Sequence, residues 1–402
     1  MGSVRERVVE EMPNLEVETA YGSAAAVRQI LRRSGDSMIK VALCTFGFPE
    51  FTISLARSLE PFCDPLVVMP EHTRDAAGDF QQVATIPYRL TNTPLSKLRA
   101  CSQMASIVSR FKPDVVHFQG WSPLLTPFLP VFKRFPIVYS WHDPVPHAGD
   151  ESWAMDVTQS MLVKTADRVV VLCNAMGTLA QSLHPAISEK LRVVPHGIFN
   201  CYVDGPEERP SPMDPGDKFI LFFGRVAPYK GVEDLCQAFA AMREHPDYKL
   251  VIAGKHIYPV STPRELGRRL VVLNEYISDN QLRYLFRHCA LVVLPYRDAT
   301  QSGVLMLAYA FGRPVLCTQV GGVTEMVEPG VTGLTVPPAN PQLLAEAMEE
   351  SLKRPGQLEA MGQKGLDFAT QNFNWDKISH DTLSVYREAM AHRGLVHGHE
   401  PS

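Results

Sequence analysis

The sequence predicts an α/β fold of two doubly wound domains that face each other across a cleft. Its 402 residues exceed the roughly 100 to 200 residues of a single domain. Short apolar, β-rich runs alternate with helix-length amphipathic segments, as in parallel sheets that helices cover on both faces. The pattern stops at a polar, proline-rich stretch, Asp204–Asp217, and then starts again. Ligands of such sheets bind beyond the carboxyl ends of the strands, so the cleft is the expected site.

The first series of strands begins after residues 1–38, which carry no clean pattern and to which we assign no function. The run Ile39–Thr45 predicts the first strand, and a helix follows over about Phe51–Leu59. The remaining strands of this series are predicted at Pro65–Met69, Asp114–Phe118, Pro136–Ser140 and Arg168–Cys173. We therefore expect an N-terminal extension at 1–38 and a first domain at 39–203.

The second series follows the linker and defines a second domain at 204–373. Its strands are predicted at Phe219–Phe223, Lys249–Ala253, Leu270–Leu273, Leu291–Leu294, Pro314–Thr318 and Gly333–Val336. The S-x-x-Q spacing from Ser278 to Gln281 is a capping box, which predicts the start of a helix.

The composition excludes several classes of protein. Hydrophobic residues make up 45% of the chain and charged residues 20%, as in ordinary globular proteins, and the net charge of -4 argues against nucleic-acid binding. The eight cysteines are scattered, which predicts buried free thiols and a cytoplasmic protein. There is no membrane-spanning run and no signal-peptide pattern, although peripheral contact with the inner membrane face stays open. Without clustered metal ligands, we expect no metal.

The strongest chemical signal follows the strand Phe219–Phe223. Gly224 and Arg225 come directly after it, and Lys230 and Gly231 precede a helical stretch. A guanidinium fork and an ammonium at the carboxyl end of a strand suit a diphosphate, and the glycines allow close approach of the backbone. The alternative is two solvated loop cations.

A second signal follows the strand Leu291–Leu294. A polar loop with Gln301 leads into a predicted helix over Val304–Phe311, and Ser302 and Gly303 fall where this helix starts. Free backbone N–H groups and the positive end of the helix dipole favour an anion there. The alternative is an ordinary N-cap.

Two more polar positions follow predicted strands. Glu325, after the pair Gly321-Gly322, can accept hydrogen bonds from sugar or ribose hydroxyls, or can lie in the first turn of a helix. His142, followed by Asp143, comes after Pro136–Ser140 and is expected in the cleft, although a lone histidine is more often structural.

Taken in order, these segments resemble glycosyltransferase family 4, the retaining nucleotide-sugar transferases of GT-B fold, in which two Rossmann-like domains face each other. The resemblance covers nearly the whole chain from Ile39. The matching segments are Lys112–His117, His142-Asp143, Val193–Gly197, Gly224-Arg225, Lys230-Gly231, Ser278-Asp279, Phe311–Val315, Val320–Gly322 and Gly330–Gly333.

The resemblance implies a role for each part of the site. It implies that Arg225 and Lys230 grip the donor diphosphate, that the base lies against the backbone at Tyr276-Ile277, and that His142 lies beside the transferred sugar. It also implies that a final helix, 374–392, packs back on the first domain. The acceptor is expected on the first domain; the residues expected there are Gly47, Phe48 and Asp143.

One departure concerns two glutamates that the family carries eight positions apart. Ala299 and Leu307 stand at these positions. A T-Q-S-G loop, like that of some exopolysaccharide-type members, leads us to interpret Gln301, Ser302 and the backbone N–H groups at Gly303 and Val304 as the replacement.

The resemblance predicts a retaining transferase that uses a nucleotide-sugar donor, UDP- or GDP-linked, with no cofactor and no metal. The acceptor is expected to be a sugar, a lipid-linked sugar or a small molecule. A non-catalytic GT-B protein that binds a nucleotide or a partner is the alternative, because both glutamates are missing. A sugar phosphorylase or an epimerase on the same fold is a further alternative.

Overall fold

The computed structural model describes residues 38–89, 91–145 and 153–395, which form two sheets whose described strands all pair in parallel. The first sheet has the strand order β3-β2-β1-β4-β5-β6-β7. Its strands are β1 Ile39–Thr45, β2 Cys63–Pro70, β3 Val83–Ile86, β4 Val115–Gln119, β5 Ile137–Ser140, β6 Arg168–Val171 and β7 Leu191–Val193.

The second sheet has the strand order β10-β9-β8-β11-β12-β13. Its strands are β8 Lys218–Phe223, β9 Tyr248–Ala253, β10 Leu270–Leu273, β11 Leu291–Leu294, β12 Val315–Thr318 and β13 Leu334–Val336. Each sheet has its own buried core, so the predicted pair of doubly wound α/β units is confirmed.

Helices cover both sheets. In the first unit they are α1 Pro49–Leu59, α2 Pro94–Phe111, α3 Leu129–Phe132, α4 Trp153–Thr165 and α5 Asn174–Leu183. The remaining helices are α6 Val232–Ala241, α7 Asp279–His288, α8 Gly303–Ala310, α9 Pro341–Leu352, α10 Pro355–Asn372 and α11 Trp375–His392. None of the helices in the described ranges is both long and apolar enough to cross a membrane.

The strands that the sequence predicted lie at or within two residues of their predicted positions, whereas β3 and β7 were missed. Both are short strands at an edge of the first sheet. In β3 only Ile86 is buried, and in β7 only Leu191. Such half-exposed segments do not form the continuous apolar run by which a central strand of a parallel sheet is recognised.

The last helix, α11, packs against the core of the first unit although it follows the second in sequence. Ile378 and Tyr386 are fully buried there. The indole Nε1 of Trp375 donates to the carbonyl of Ile198 at 2.8 Å, and the guanidinium of Arg393 donates to both carboxylate oxygens of the buried Asp167. The helix thereby returns the chain from the second unit to the first.

Strand order defines where a ligand can enter each sheet. Successive strands are added toward one edge of the sheet and then toward the other, and this order reverses between β1 and β4 in the first unit and between β8 and β11 in the second. At such a switch point the loops that leave the two central strands diverge and open a crevice at the carboxyl edge. The loops of interest are therefore those that follow these four strands and their neighbour β5.

Candidate active site between the two sheets

The loop after β8 packs closely against the loop after β11 and forms hydrogen bonds with it. A Cβ atom on Gly231 would lie 1.9 Å from the carbonyl oxygen of Pro295, and Gly231 has φ +65°, so this position requires glycine. The backbone N–H of Arg297 donates to the carbonyl of Tyr229, and the Arg297 guanidinium forms a bidentate pair with Asp234 at 2.7 and 2.8 Å. The two loops therefore act as one rigid platform at the switch point.

Two cations lie on this platform. Arg225 is exposed, and Lys230 is half-buried with its Nζ 3.7 Å from the centroid of the Tyr296 ring. Burial, together with the nearby Arg225 charge, lowers the pKa of Lys230 to about 7, while Asp143 opposes that shift. The charge of Arg225 thus disfavours the charged form of Lys230, and an anion bound beside both cations would offset this repulsion.

The N-terminus of α8 borders the same platform. Ser302 is buried and is the N-cap of α8, with its Oγ accepting from the N–H of Leu305 at 3.2 Å and lying 3.3 Å from the Tyr296 hydroxyl. The helix begins at Gly303, one residue before its predicted start. Among the residues that the structure describes, none donates a hydrogen bond to the buried Oε1 atom of Gln301. Such an orphaned acceptor is costly unless a ligand donates to it.

The two positions that depart from the family pattern are apolar and buried. Ala299 is 3% exposed and Leu307 is 5% exposed, and both belong to the core of the second unit. A carboxylate at position 307 would have to replace a packed leucine on α8. Ala299 and Leu307 therefore fill this space with apolar contacts.

The two units touch at the loop that contains Thr300. Its hydroxyl donates to the Asp143 carboxylate, which follows β5, at 2.6 Å, and the Sγ atom of Cys173 lies 3.5 Å from the Thr300 carbonyl oxygen. A Cβ atom on Gly322 would lie 2.3 Å from both this sulfur and this carbonyl oxygen. The pair Gly321-Gly322 therefore permits the close approach of the units.

Glu325 also accepts hydrogen bonds from residues on the other side of the cleft. The sequence left it between hydroxyl recognition and the first turn of a helix. In the structure its Oε2 accepts from the backbone N–H and the side-chain amide of Asn174, and its Oε1 accepts from the N–H of Ala175. The carboxylate thus lies at the N-terminus of α5, a helix of the other unit, where the helix dipole favours a negative charge.

His142 lies on the first-unit side of the cleft and is 3% exposed. Phe48 stacks on its ring with centroids 3.8 Å apart, and its Nε2 lies 2.8 Å from Oε1 of Gln119. Burial lowers the pKa of His142 to about 3, as it lowers that of the nearby His196 to about 4. Both imidazoles are therefore neutral near pH 7, and neither is a general acid there.

The remaining predicted positions lie on loops around this centre. Tyr276 is 85% exposed, whereas Ile277 is buried just before the capping box of α7, in which Ser278 and Gln281 exchange hydrogen bonds as predicted. Gly47 is exposed beside Phe48. Within the described ranges, no group of three or more His, Cys, Asp or Glu side chains is placed to hold a metal ion.

Sequence reasoning missed several contacts that shape the site. It did not single out Thr300 as the partner of Asp143, Tyr296 as the surface under the Lys230 ammonium, or Asn174 as the partner of Glu325. Tyr296 lies close to Lys230 because β8 and β11 are adjacent in the sheet, and we predicted the positions of the strands but not their order. The other two contacts join the two units and leave no local pattern.

Both halves of the chain match known protein families. Residues 47–199 match the family described as Glycosyltransferase Family 4, and residues 217–354 match the family described as Glycosyl transferases group 1. Together the two matches cover every cleft residue described above, and α11 lies outside both.

Curated relatives have similar descriptions. An uncharacterised glycosyltransferase of Methanocaldococcus jannaschii is 28% identical over 70% of this chain and 77% of its own length. The D-inositol 3-phosphate glycosyltransferase of Segniliparus rotundus is 27% identical over 58% of this chain, which spans only 55% of that relative. A glycogen synthase of Mycobacterium tuberculosis is 26% identical over 69% of this chain and 70% of its own length.

Solved structures share the fold. Sucrose-phosphate synthase from Thermosynechococcus elongatus superposes with a TM-score of 0.67 at 18% identity, over 88% of this chain and 99% of its own. The Anabaena protein HepE in complex with UDP-glucose superposes with a TM-score of 0.65 at 19% identity, over 86% of this chain and 99% of its own. At these identities the likeness establishes the GT-B arrangement of the two units.

Proposed function

Since this chain belongs to glycosyltransferase family 4, we propose that it transfers a sugar from a UDP- or GDP-sugar to an acceptor hydroxyl with retention of the anomeric configuration. In this proposal the unit at 204–373 binds the donor. The unit at 39–203, with helix 374–392, binds the acceptor. The catalytic residues are Arg225, Lys230 and His142.

The observation that carries this proposal is the convergence of positive potential at the carboxyl edge of the second sheet. Burial, and after it the charge of the nearby Arg225, lowers the pKa of Lys230 to about 7. The N-terminus of α8, capped by Ser302, borders the same platform. A diphosphate would restore the full charge of Lys230 and accept hydrogen bonds from the backbone of Gly303 and Val304.

Transfer would proceed on one face of the sugar. The bond between the anomeric carbon and the diphosphate oxygen breaks, and Arg225 and Lys230 stabilise the negative charge that develops on the leaving group. The acceptor hydroxyl bonds to the anomeric carbon on the face that the leaving group vacates. Its proton passes to an oxygen of the leaving diphosphate, so no protein base is needed.

Donor recognition would combine backbone and side-chain contacts. The base packs against the backbone at Tyr276 and Ile277, and Gly224 lets the diphosphate approach the loop. The orphaned Oε1 of Gln301 supports a hydrogen bond from a donor hydroxyl, in place of the missing glutamates. Glu325 maintains the contact between the units in the closed arrangement, because its carboxylate already accepts three hydrogen bonds.

On the acceptor side, the proposal places the incoming hydroxyl near Gly47 and Phe48, beside His142. Asp143 is bonded to Thr300, so it contributes to closure as well as to the polarity of this side. We propose a sugar, a lipid-linked sugar or a small molecule as the acceptor.

The proposal is tested by incubating the full chain with UDP- and GDP-sugars and following products by proton NMR. Turnover of one donor, with the product linkage in the configuration of the donor, is expected. An inverted product would contradict retention. If no donor is consumed, even by hydrolysis, in a protein that is folded by circular dichroism, the transferase proposal fails.

A further inference from the structure

The ammonium group of Lys230 lies over the face of a buried tyrosine ring. Its Nζ atom is 3.7 Å from the ring centroid of Tyr296 and 5.0 Å from that of Tyr229. Tyr296 has no exposed surface, and Tyr229 is 9% exposed. A lysine that only packed its methylene stem on a ring would extend its charged end past the ring into solvent. Here the charged atom itself lies close to the ring centre, which is the geometry of a cation–π contact.

The Tyr296 ring is held in place from both ends. The hydroxyl of the buried Thr318 donates to the backbone carbonyl of Tyr296 at 2.5 Å. The phenol hydroxyl of Tyr296 lies 3.3 Å from Oγ of Ser302, the N-cap of α8. The ring therefore lies between Lys230 and the N-terminus of α8, which are two parts of the proposed anion site.

Little negative charge compensates the ammonium at this position. Burial and the Arg225 charge both lower the pKa of Lys230, and the Asp143 charge opposes them. Within the described part of the chain, Lys230 forms no ion pair with a carboxylate. The face of an aromatic ring carries negative potential without a net charge. It stabilises the ammonium and, unlike a carboxylate, does not strongly repel an incoming diphosphate.

We propose that Tyr296 is a positioning residue whose ring face holds the Lys230 ammonium charged and in place for an anion that binds beside Arg225 and the N-terminus of α8. Tyr296 acts through Lys230 and does not touch the substrate. The identity of the anion as the diphosphate of a sugar donor rests on the proposed function. The contact between the ammonium and the ring does not.

The sharpest test changes the electron density of the ring and keeps its shape. Tyr296→Phe is compared with full chains that carry mono-, di- and trifluorinated phenylalanine at position 296, because each fluorine withdraws electron density from the ring face. The titration of Lys230 is followed without ligand by ¹³C NMR of protein labelled at lysine Cε, and its signal is identified by its loss in Lys230→Met. Tyr296→Phe should titrate as the wild type does. The midpoint should then fall with each fluorine, by about one pH unit in total.

Tyr309 provides the matched control position. Its ring is buried in the same unit, and its hydroxyl bonds to Met326 and Thr332. No cation among the described residues lies over its face. The same fluorinated residues at position 309 should leave the midpoint of Lys230 unchanged. A midpoint that does not respond to fluorine at position 296, or that responds equally at position 309, overturns the proposal.

A measurement on the wild type covers the case in which the fluorinated chains do not fold. Protons that lie over an aromatic face resonate upfield because the π electrons shield them. The Hε protons of Lys230 should therefore resonate upfield of those of the exposed Lys364. If the two lysines share the same Hε shifts, the ammonium does not lie over the ring and the proposal fails.

Nucleotide affinity separates this proposal from the proposed function. When the midpoint of Lys230 is lowered, fewer molecules carry its charge before binding. The affinity of the trifluorinated chain for the preferred nucleotide, UDP or GDP, should therefore be about fivefold below that of Tyr296→Phe at pH 7, and nearly equal to it at about pH 5.5. A fluorine-dependent midpoint in a protein that binds no nucleotide and transfers no sugar would refute the proposed function and support the ring contact. Sugar transfer with a midpoint that ignores fluorine would do the reverse.

Discussion

The two edges of the cleft differ in the charge that their basic side chains carry near pH 7. On the second sheet, Arg225 is exposed and the pKa of Lys230 is held at about 7. On the first sheet, burial keeps His142 and His196 neutral, with pKa values of about 3 and 4. The second edge can therefore hold an anion, whereas the first combines neutral imidazoles with the carboxylate of Asp143, which accepts a hydrogen bond from Thr300.

The largest effect is expected from removing a cation of the second edge. Lys230→Met should lower kcat/KM for the donor by about 100- to 1,000-fold, as the loss of one preorganised group that stabilises leaving-group charge does elsewhere. Initial-rate assays measure it. The control is Lys364→Met, which removes an exposed ammonium from α10. If Lys230→Met transfers sugar as fast as its control, charge on this edge is not catalytic.

A smaller effect concerns pH. Because the pKa of Lys230 is lowered to about 7, the ligand-free protein loses this charge as pH rises through 7, whereas a bound diphosphate favours the charged form. Affinity for the nucleotide sugar that binds should therefore fall by up to about tenfold per pH unit above pH 7. Calorimetric titrations from pH 6 to 9 measure the slope, and Lys230→Met should abolish it. If the pH dependence persists in that variant, another titratable group causes it.

The smallest effect concerns the contact that joins the edges. Glu325→Gln leaves the N–H groups of Asn174 and Ala175 facing an uncharged amide, so the contact between the units weakens. We expect faster hydrogen exchange at these two amides and a three- to tenfold loss of kcat/KM, in line with a lost charge at a helix N-terminus. Glu359→Gln, on the exposed side of α10, is the control. Unchanged exchange would mean that the carboxylate is dispensable for closure.

Most of the fold could be predicted from the sequence because central parallel strands are buried on both faces. The fully buried run Leu291–Leu294 coincides with β11, and the edge strand β10 was found as well because Leu270–Leu273 is apolar throughout. The edge strands β3 and β7 were missed, since polar side chains interrupt their short runs. Which helix packs on which sheet was expected only from the family resemblance, because no local pattern encodes the contact of Tyr386 with His117.

The candidate site also contains residues that the sequence could predict and contacts that it could not. Arg225, Lys230 and Ser302 follow strands in short local motifs, so their residue types and spacing pointed to an anion. The partners of Glu325 and Asp143 lie in the opposite unit. These depend on tertiary distances, and the sequence offered only alternatives for Glu325.

The central claim is that Arg225 and Lys230 bind a diphosphate, and calorimetric titration of the full chain with UDP, GDP and ADP tests it most directly. We predict clear preference for one nucleotide, with binding lost in Arg225→Ala but kept in Arg243→Ala, an exposed arginine that follows α6 at the opposite edge of the sheet. The titrations are run with and without magnesium. Binding of the preferred nucleotide with equal affinity by wild type and Arg225→Ala would contradict the account.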